Sequence, residues 1–143
     1  MNGSLWLRAD FHLHTKADGE FQYKDEDARF IPGYVEALKK AGIKIGVITN
    51  HNKFDLDEFK SLRKAARKEN IFLLPGVELS VKDGSSGIHT LVVFGSEWID
   101  NCENKNHIQI FLNITSAGQS NYENENAPSN QDLPDTMREL DKF

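Results

Sequence analysis

Ala9-Asp10-Phe11-His12-Leu13-His14-Thr15 closes an apolar run formed by Leu5, Trp6 and Leu7. Asp10, His12 and His14 fall on alternate positions, so an extended backbone points all three to one side. A carboxylate two residues before a histidine can accept the second ring N–H and fix the tautomer, the usual arrangement behind a metal-ligating imidazole. The stretch reads as a strand that delivers metal-capable side chains at its end. The plainer reading is two half-buried histidines that merely close a strand.

Working outward, the first strand is predicted over Leu5 to His12, followed by a polar loop, Thr15 to Arg29, that carries Lys16, Asp18, Gly19, Glu20 and the acidic run Asp25 to Asp27. Pro32 is expected to open a helix with Val35, Leu38 and Ala41 on its apolar face and Gly42 as its stop. Ile43 to Thr49 reads as an apolar strand of a parallel sheet, and Asn50, His51 and Asn52 follow at its C-terminal end. Asp55, with Glu58 three residues on, looks like a helix start. Phe59, Leu62, Ala65 and Ala66 then give a core stripe, against a solvated face of Lys60, Arg63, Lys64, Arg67 and Lys68.

A third strand is predicted from Ile71 through Pro75-Gly76-Val77 to Glu78 and on toward Val81, then a turn at Asp83 to Gly87 and a fourth strand, Ile88 to Phe94. The alternation of strands and helices argues for an α/β sheet with right-handed crossovers. The link between Glu78 and Ile88 is too short for a parallel crossover, so strands three and four should form an antiparallel hairpin. His12, His14, His51, Glu78 and His89 then gather at the edge of the sheet where α/β folds carry their sites. Beyond Trp98, His107 to Ile114 is either helix or strand, Gly118 to Asp132 reads as a loop, and Pro134 to Leu140 opens a helix within which the chain stops uncapped.

The whole chain has 143 residues, enough for one domain with a real core and too few for two ordinary ones. A net charge of −5 excludes a bulk basic footprint for nucleic acid, although divalent metals can supply positive charge locally. Cys102 is the sole cysteine, which rules out a disulfide framework and a thiolate zinc cluster and points to a reducing compartment. No apolar stretch is long enough to span a membrane, so a soluble, cytoplasmic protein is expected. No Ser-His-Asp, Cys-His, Walker A or Gly-x-Gly-x-x-Gly pattern competes with the histidines. Imidazole and carboxylate donors without sulfur suit zinc, manganese or iron. Bridging carboxylates allow the two-metal geometry of phosphoryl transfer, with metals about 3.5–4 Å apart.

Asp10-Phe11-His12-Leu13-His14-Thr15, Ile48-Thr49-Asn50-His51-Asn52, and Pro75-Gly76-Val77-Glu78-Leu79-Ser80 followed by His89-Thr90-Leu91 resemble the first three motifs of the polymerase and histidinol phosphatase (PHP) superfamily. The resemblance covers about Leu5 to Phe94. It implies a partial distorted (β/α)7 barrel with a cluster of up to three divalent metal ions at the C-terminal ends of the strands, and hydrolysis of phosphoesters by metal-activated water. The Trp-Leu-Arg-Ala-Asp-Phe-His and Thr-Asn-His-Asn-Lys-Phe-Asp stretches are similar to PHP domains at the N-terminus of large SMC-like or AAA ATPase proteins.

Carried over, the resemblance implies that His12 and His14 hold one metal and that Glu78 bridges it to a second held by His89. His51 serves a third with Asp18 or Glu20, and Asp10 orients or helps ligate. Asp10, His51 and Glu78 are the candidate catalytic residues, and Thr15 reads as a structural hydroxyl. The family usually has Asp where Asn50 stands, and it draws a further His and a final Asp-x-His pair from a second half that nothing after Phe94 matches. Residues 1–100 are accordingly expected to be the first part of a PHP domain and 101–143 a polar, Asn-rich continuation. A phosphoester substrate, either nucleic acid or nucleotide, is the implied partner. An ATPase domain in the same full-length chain and self-association through an exposed sheet edge are the further expectations. The alternatives are a non-catalytic PHP-like structural or regulatory module and a metal-free α/β interaction domain.

Overall fold

Strand β1 (Arg8–Leu13) leads through a loop into helix α1 (Asp27–Lys40), then strand β2 (Ile43–Ile48), helix α2 (Leu56–Lys68), the long strand β3 (Phe72–Val81) and strand β4 (Ile88–Val93). Among the described residues three helices follow: α3 (Glu97–Asp100), α4 (His107–Thr115) and α5 (Leu133–Leu140). The computed structural model describes residues 6–24, 26–83, 87–100, 106–116 and 127–143. The four strands lie in sequence order, β1 and β2 parallel, β2 and β3 parallel, β3 and β4 antiparallel. Unreversed strand order with right-handed crossovers puts both crossover helices on one face, and α1 and α2 do touch. That is the start of a (β/α) barrel rather than a doubly wound sheet. The fold is thus α/β, a partial distorted barrel, with β1 and β4 as the sheet edges among the described residues.

The core lies between this sheet and its helices. Phe59, Leu62 and Ala66 of α2 meet Val35 and Leu38 of α1 and the sheet residues Ile48, Leu73, Val77, Leu79 and Val92. Ile108, Phe111 and Leu112 of α4 join the same cluster. The other face of the sheet is apolar and open: Phe11, Phe72, Leu91 and Val93 are exposed. Strand β3 is ten residues long because it serves two partners, Phe72 to Pro75 facing β2 and Gly76 to Val81 facing β4. At the changeover a Cβ on Gly76 would stand 2.7 Å from Val47 Cγ1 and 2.9 Å from the Val92 carbonyl, so only glycine lets the strands approach.

Several local expectations are corrected. Pro32 does not open α1; it lies inside a helix that starts at Asp27. One backbone hydrogen bond is forfeited there. The burial of Phe30, packed edge-on against Phe21 and Tyr23, holds the first turn in place, which the acidic run conceals in the sequence. Strand β1 begins at Arg8 and reaches Leu13; Leu5 lies outside the described residues, as do Asp25, Gly84, Ser85, Ser86 and Cys102.

Arg63 is not simply solvated: it makes two hydrogen bonds to the Asp100 carboxylate, at 3.0 and 2.6 Å. Residues 107–115 are helix, capped by the Asn106 side chain. The described part of the Asn-rich stretch is pinned, since Lys82 N–H donates to the Gln131 carbonyl at 3.1 Å and Asn130 N–H to the Thr115 carbonyl at 2.9 Å. Helix α5 is capped at both ends, by the Asp132 side chain and by the Asp141 N–H. Gly42, at φ +72°, ends α1 as expected, and Asp55 caps α2 through the Glu58 N–H. Among the described residues no helix is long and apolar enough to cross a membrane.

Replacing Gly76 by Ala is expected to lower the free energy of unfolding by about 1–3 kcal/mol in a urea titration, through overpacking. Gly19→Ala, where an added Cβ meets nothing within 4 Å, should stay within about 0.5 kcal/mol of the parent.

Candidate metal centre

Strand β2 does not stop cleanly at Ile48. Its continuation hydrogen-bonds to β3 from both sides of Glu78, the Glu78 N–H donating to the Asn50 carbonyl at 3.1 Å and the Asn52 N–H to the Glu78 carbonyl at 2.8 Å. This fixes His51 directly beside Glu78 as a parallel bridge. Asn52 tolerates the left-handed conformation this requires, φ 48°, and its side-chain oxygen accepts the Ser80 N–H at 2.9 Å. On the other flank, β4 sets Leu91 opposite Glu78 and His89 opposite Ser80, so His89 lies diagonally across from the carboxylate on the same face. β1 contributes His12, and His14 follows at the start of the loop.

The side chains converge. Glu78 Oε2 lies 2.6 Å from His12 Nε2, 3.2 Å from His51 Nε2 and 3.3 Å from His14 Nε2, while Oε1 lies 2.7 Å from His89 Nδ1. Asp18 Oδ2 lies 2.7 Å from His14 Nδ1 and 3.0 Å from His51 Nδ1, and it also accepts the His51 backbone N–H at 2.8 Å. The rings of His14 and His51 stack, with centroids 4.6 Å apart. Three overlapping groups of donors result: His12, His14 and Glu78; His14, Asp18 and His51; His51, Glu78 and His89.

Burial works to raise the pKa of the Asp18 carboxyl, but the His51 and Glu20 backbone N–H groups and the rings of His14 and His51 outweigh it and hold the group at about 2. For Glu78, burial is likewise overcome, by the hydrogen bonds from His12 and His89 and by the His51 charge, and its pKa is lowered. Both carboxylates are therefore ionised acceptors. Asp18 faces the Nδ1 of both His14 and His51, and the Nε2 atoms of both rings face Glu78. The His14 and His12 Nε2 atoms are only 2.9 Å apart. Nitrogen and oxygen atoms brought together in this way can share protons or a cation, and imidazole with carboxylate is the donor chemistry of divalent metals. The residues present fit such ions.

Asp18 and Glu20 were alternatives for the third position. The Asp18 carboxylate is the one that reaches the rings, whereas Glu20 is exposed and belongs to none of the three groups. Asp10 does not accept a ring N–H; its carboxylate takes the His12 backbone N–H at 3.1 Å, because the register shifts between Asp10 and Leu13 and breaks the simple alternation. Asp18 fills the orienting role instead. His107 packs against Trp98 and Phe143, away from the cluster.

Thr15 is fully buried and structural as expected: its N–H donates to Asn50 Oδ1 at 2.8 Å and its hydroxyl to Glu58 Oε1. Burial raises the pKa of Glu58. Sequence reasoning gave Glu58 a helix-start role only. The available signal was that the N-terminus of α2 follows the His51 rim directly, where a glutamate can turn toward the loop rather than back to its own cap. Tyr34, also missed, donates its hydroxyl to the His14 carbonyl at 2.9 Å. It helps line a cavity of about 490 Å³ with Arg8, Asp10, His12, His14 and Phe21. A second, of about 300 Å³, opens between His14, Glu20, Phe21, Gln22 and His51.

Comparison of the chain with protein-family models and with curated proteins gives no match. Among solved structures it is similar to the crystal structure of a candidate metal-dependent phosphoesterase from Bifidobacterium adolescentis, with a TM-score of 0.51 and 22% sequence identity. The similarity covers 76% of this chain and 33% of that one. The chain thus shares that fold and spans about a third of that protein's length.

Zinc or manganese at about 100 times its dissociation constant is expected to raise the unfolding free energy by about 2.7 kcal/mol, reversibly on chelation. Differential scanning fluorimetry checks this. Glu78→Ala, which touches two of the three donor groups, should abolish the gain, and His107→Ala should leave it intact.

Proposed function

We propose that the chain is the motif-bearing first part of a PHP-type phosphoesterase domain, whose His12, His14, Asp18, His51, Glu78 and His89 hold divalent cations and whose reaction is hydrolysis of phosphoric esters. The observation that carries this reading is the sharing of Glu78 between two donor groups, with His51 common to the second and third. Shared ligands are what a multi-metal phosphoryl-transfer site requires. Bound there, the cations supply Lewis-acid activation of water and neutralise charge on the phosphoryl group.

The chain's own residues do the rest. Asp18 keeps the protons of His14 and His51 on Nδ1 and turns their bare nitrogens inward. Glu78, its backbone fixed by hydrogen bonds to the continuation of β2, presents its carboxylate to the four imidazoles. Asp10 holds the backbone at His12 and faces the larger cavity, the side from which an ester can approach. The phosphate belongs at the histidine cluster, with the remainder of the substrate along Phe21 and Tyr34. Nucleotides and nucleic acids both carry the required ester.

The second reading is a non-catalytic module of a larger, ATPase-linked protein. One observation favours it: among the described residues, nothing after His89 joins the donor groups.

Manganese-loaded protein is to be assayed with p-nitrophenyl phosphate and with bis-p-nitrophenyl phosphate. Turnover reduced to background by Glu78→Ala and by chelation is the expected outcome. Metal retained without turnover favours the non-catalytic reading, and no retained metal overturns the phosphoesterase reading.

A further inference from the structure

Thr15 follows His14 and Asn50 precedes His51, so the two residues are the backbone neighbours of two proposed ligands on separate elements. They meet across a buried contact that reads Thr15 at both of its ends. The Asn50 side-chain oxygen accepts the Thr15 N–H at 2.8 Å, and the Asn50 amide group donates to Thr15 Oγ1 at 2.9 Å. The Thr15 hydroxyl has one proton and gives it to Glu58 Oε1, which also takes the Ala17 N–H at 3.4 Å. The Thr15 carbonyl accepts the Asp18 N–H at 2.9 Å, closing the turn that presents the Asp18 carboxylate. Thr15 is fully buried and Asn50 only 2% exposed, so water cannot substitute for a lost partner.

We infer that Asn50, Thr15 and Glu58 form a positioning relay of fixed hydrogen-bond polarity that sets the Asp18 turn against His14 and His51. The inference deepens the metal-site reading above and rests on it. None of the three residues belongs to a donor group; they act through the loop.

The polarity makes positions 50 and 58 interdependent. A carboxylate at 50 can still accept the Thr15 N–H, but its second oxygen faces Thr15 Oγ1 with no proton to offer. The hydroxyl must then turn away from Glu58, leaving two carboxylates opposed around one proton. A glutamine at 58 resolves this, because its amide can donate to Thr15 Oγ1, at the loss of the long 3.4 Å contact from the Ala17 N–H, while the hydroxyl turns to the carboxylate at 50. The two links at Thr15 Oγ1 then run in reverse, while the Thr15 N–H still donates to position 50.

The test compares the parent chain with Asn50→Asp and with Asn50→Asp/Glu58→Gln, each first checked for cooperative unfolding. In metal-free protein at pH about 8, long-range ¹H–¹⁵N spectra should show His14 and His51 of the parent with the proton on Nδ1, the nitrogen that faces Asp18. Asn50→Asp should mix the tautomers and the double variant should restore them. By calorimetry, the Kd for Mn²⁺ should rise roughly 10- to 100-fold in Asn50→Asp, the scale of effect for residues behind metal ligands, and return most of the way in the double variant. Failure of the parent to bind Mn²⁺ defeats the metal-site reading and leaves the ring-nitrogen spectra to decide the relay. Ring signals unmoved by Asn50→Asp, or a double variant no better than the single, overturns the relay itself.

Discussion

Glu78 is a carboxylate on the central part of the longest strand, 4% exposed, with both oxygens turned toward imidazoles. An ionised carboxyl taken out of water costs several kcal/mol unless it is matched by partners of good geometry. Here the partners come from β1 (His12), the loop after it (His14), the continuation of β2 (His51) and β4 (His89), so the charge can be buried only when four separate pieces of chain have reached their places. Sheet assembly and site assembly are therefore one event. The hydrogen bonds that Glu78 makes through its own backbone to Asn50 and Asn52 tie the carboxylate to the register of β2 and β3, and the diagonal to His89 ties it to the hairpin. A second buried acid, Asp18, performs the same service one layer out by collecting the Nδ1 sides of His14 and His51.

Much of this was legible in the letters. Strand and helix alternation, the shortness of the link from Glu78 to Ile88, the Asp55 cap and the Gly42 stop are local signals, and each has its counterpart in the fold. What misled was anything decided by register or by tertiary packing. Period-two reading set Asp10 behind the histidines, but across the irregularity between Asp10 and Leu13 its carboxylate takes the His12 backbone N–H, and Asp18 is the acid at the Nδ1 of His14 and His51; no sequence pattern announces such a shift. Pro32 looked like a helix start because its local cost is visible, whereas the burial of Phe30 against Phe21 and Tyr23 is not. Residues 127–131 look like polar loop; their order comes from main-chain hydrogen bonds to Lys82 and Thr115, to which composition is blind.

The Asn at position 50 illustrates how a departure from a motif can be absorbed. The negative charge expected behind His51 is absent at that position, yet His51 retains an acidic partner through Asp18, and the amide is used in both directions by Thr15. The open face that carries Phe11, Phe72, Leu91 and Val93 is the inward side of a partial barrel sheet, and the match to this chain covers only 33% of the structural neighbour.

Nitrogen and oxygen donors far apart in the chain converge at Glu78, and the proposed role requires that they hold cations there. X-ray absorption at the zinc edge, on protein loaded with Zn²⁺ and passed through gel filtration, tests it most directly. Retained zinc with a nitrogen and oxygen shell at about 2.0–2.2 Å and the outer-shell scattering of imidazole rings is the expected result. Zinc lost on the column, or a sulfur shell at about 2.3 Å, would contradict it.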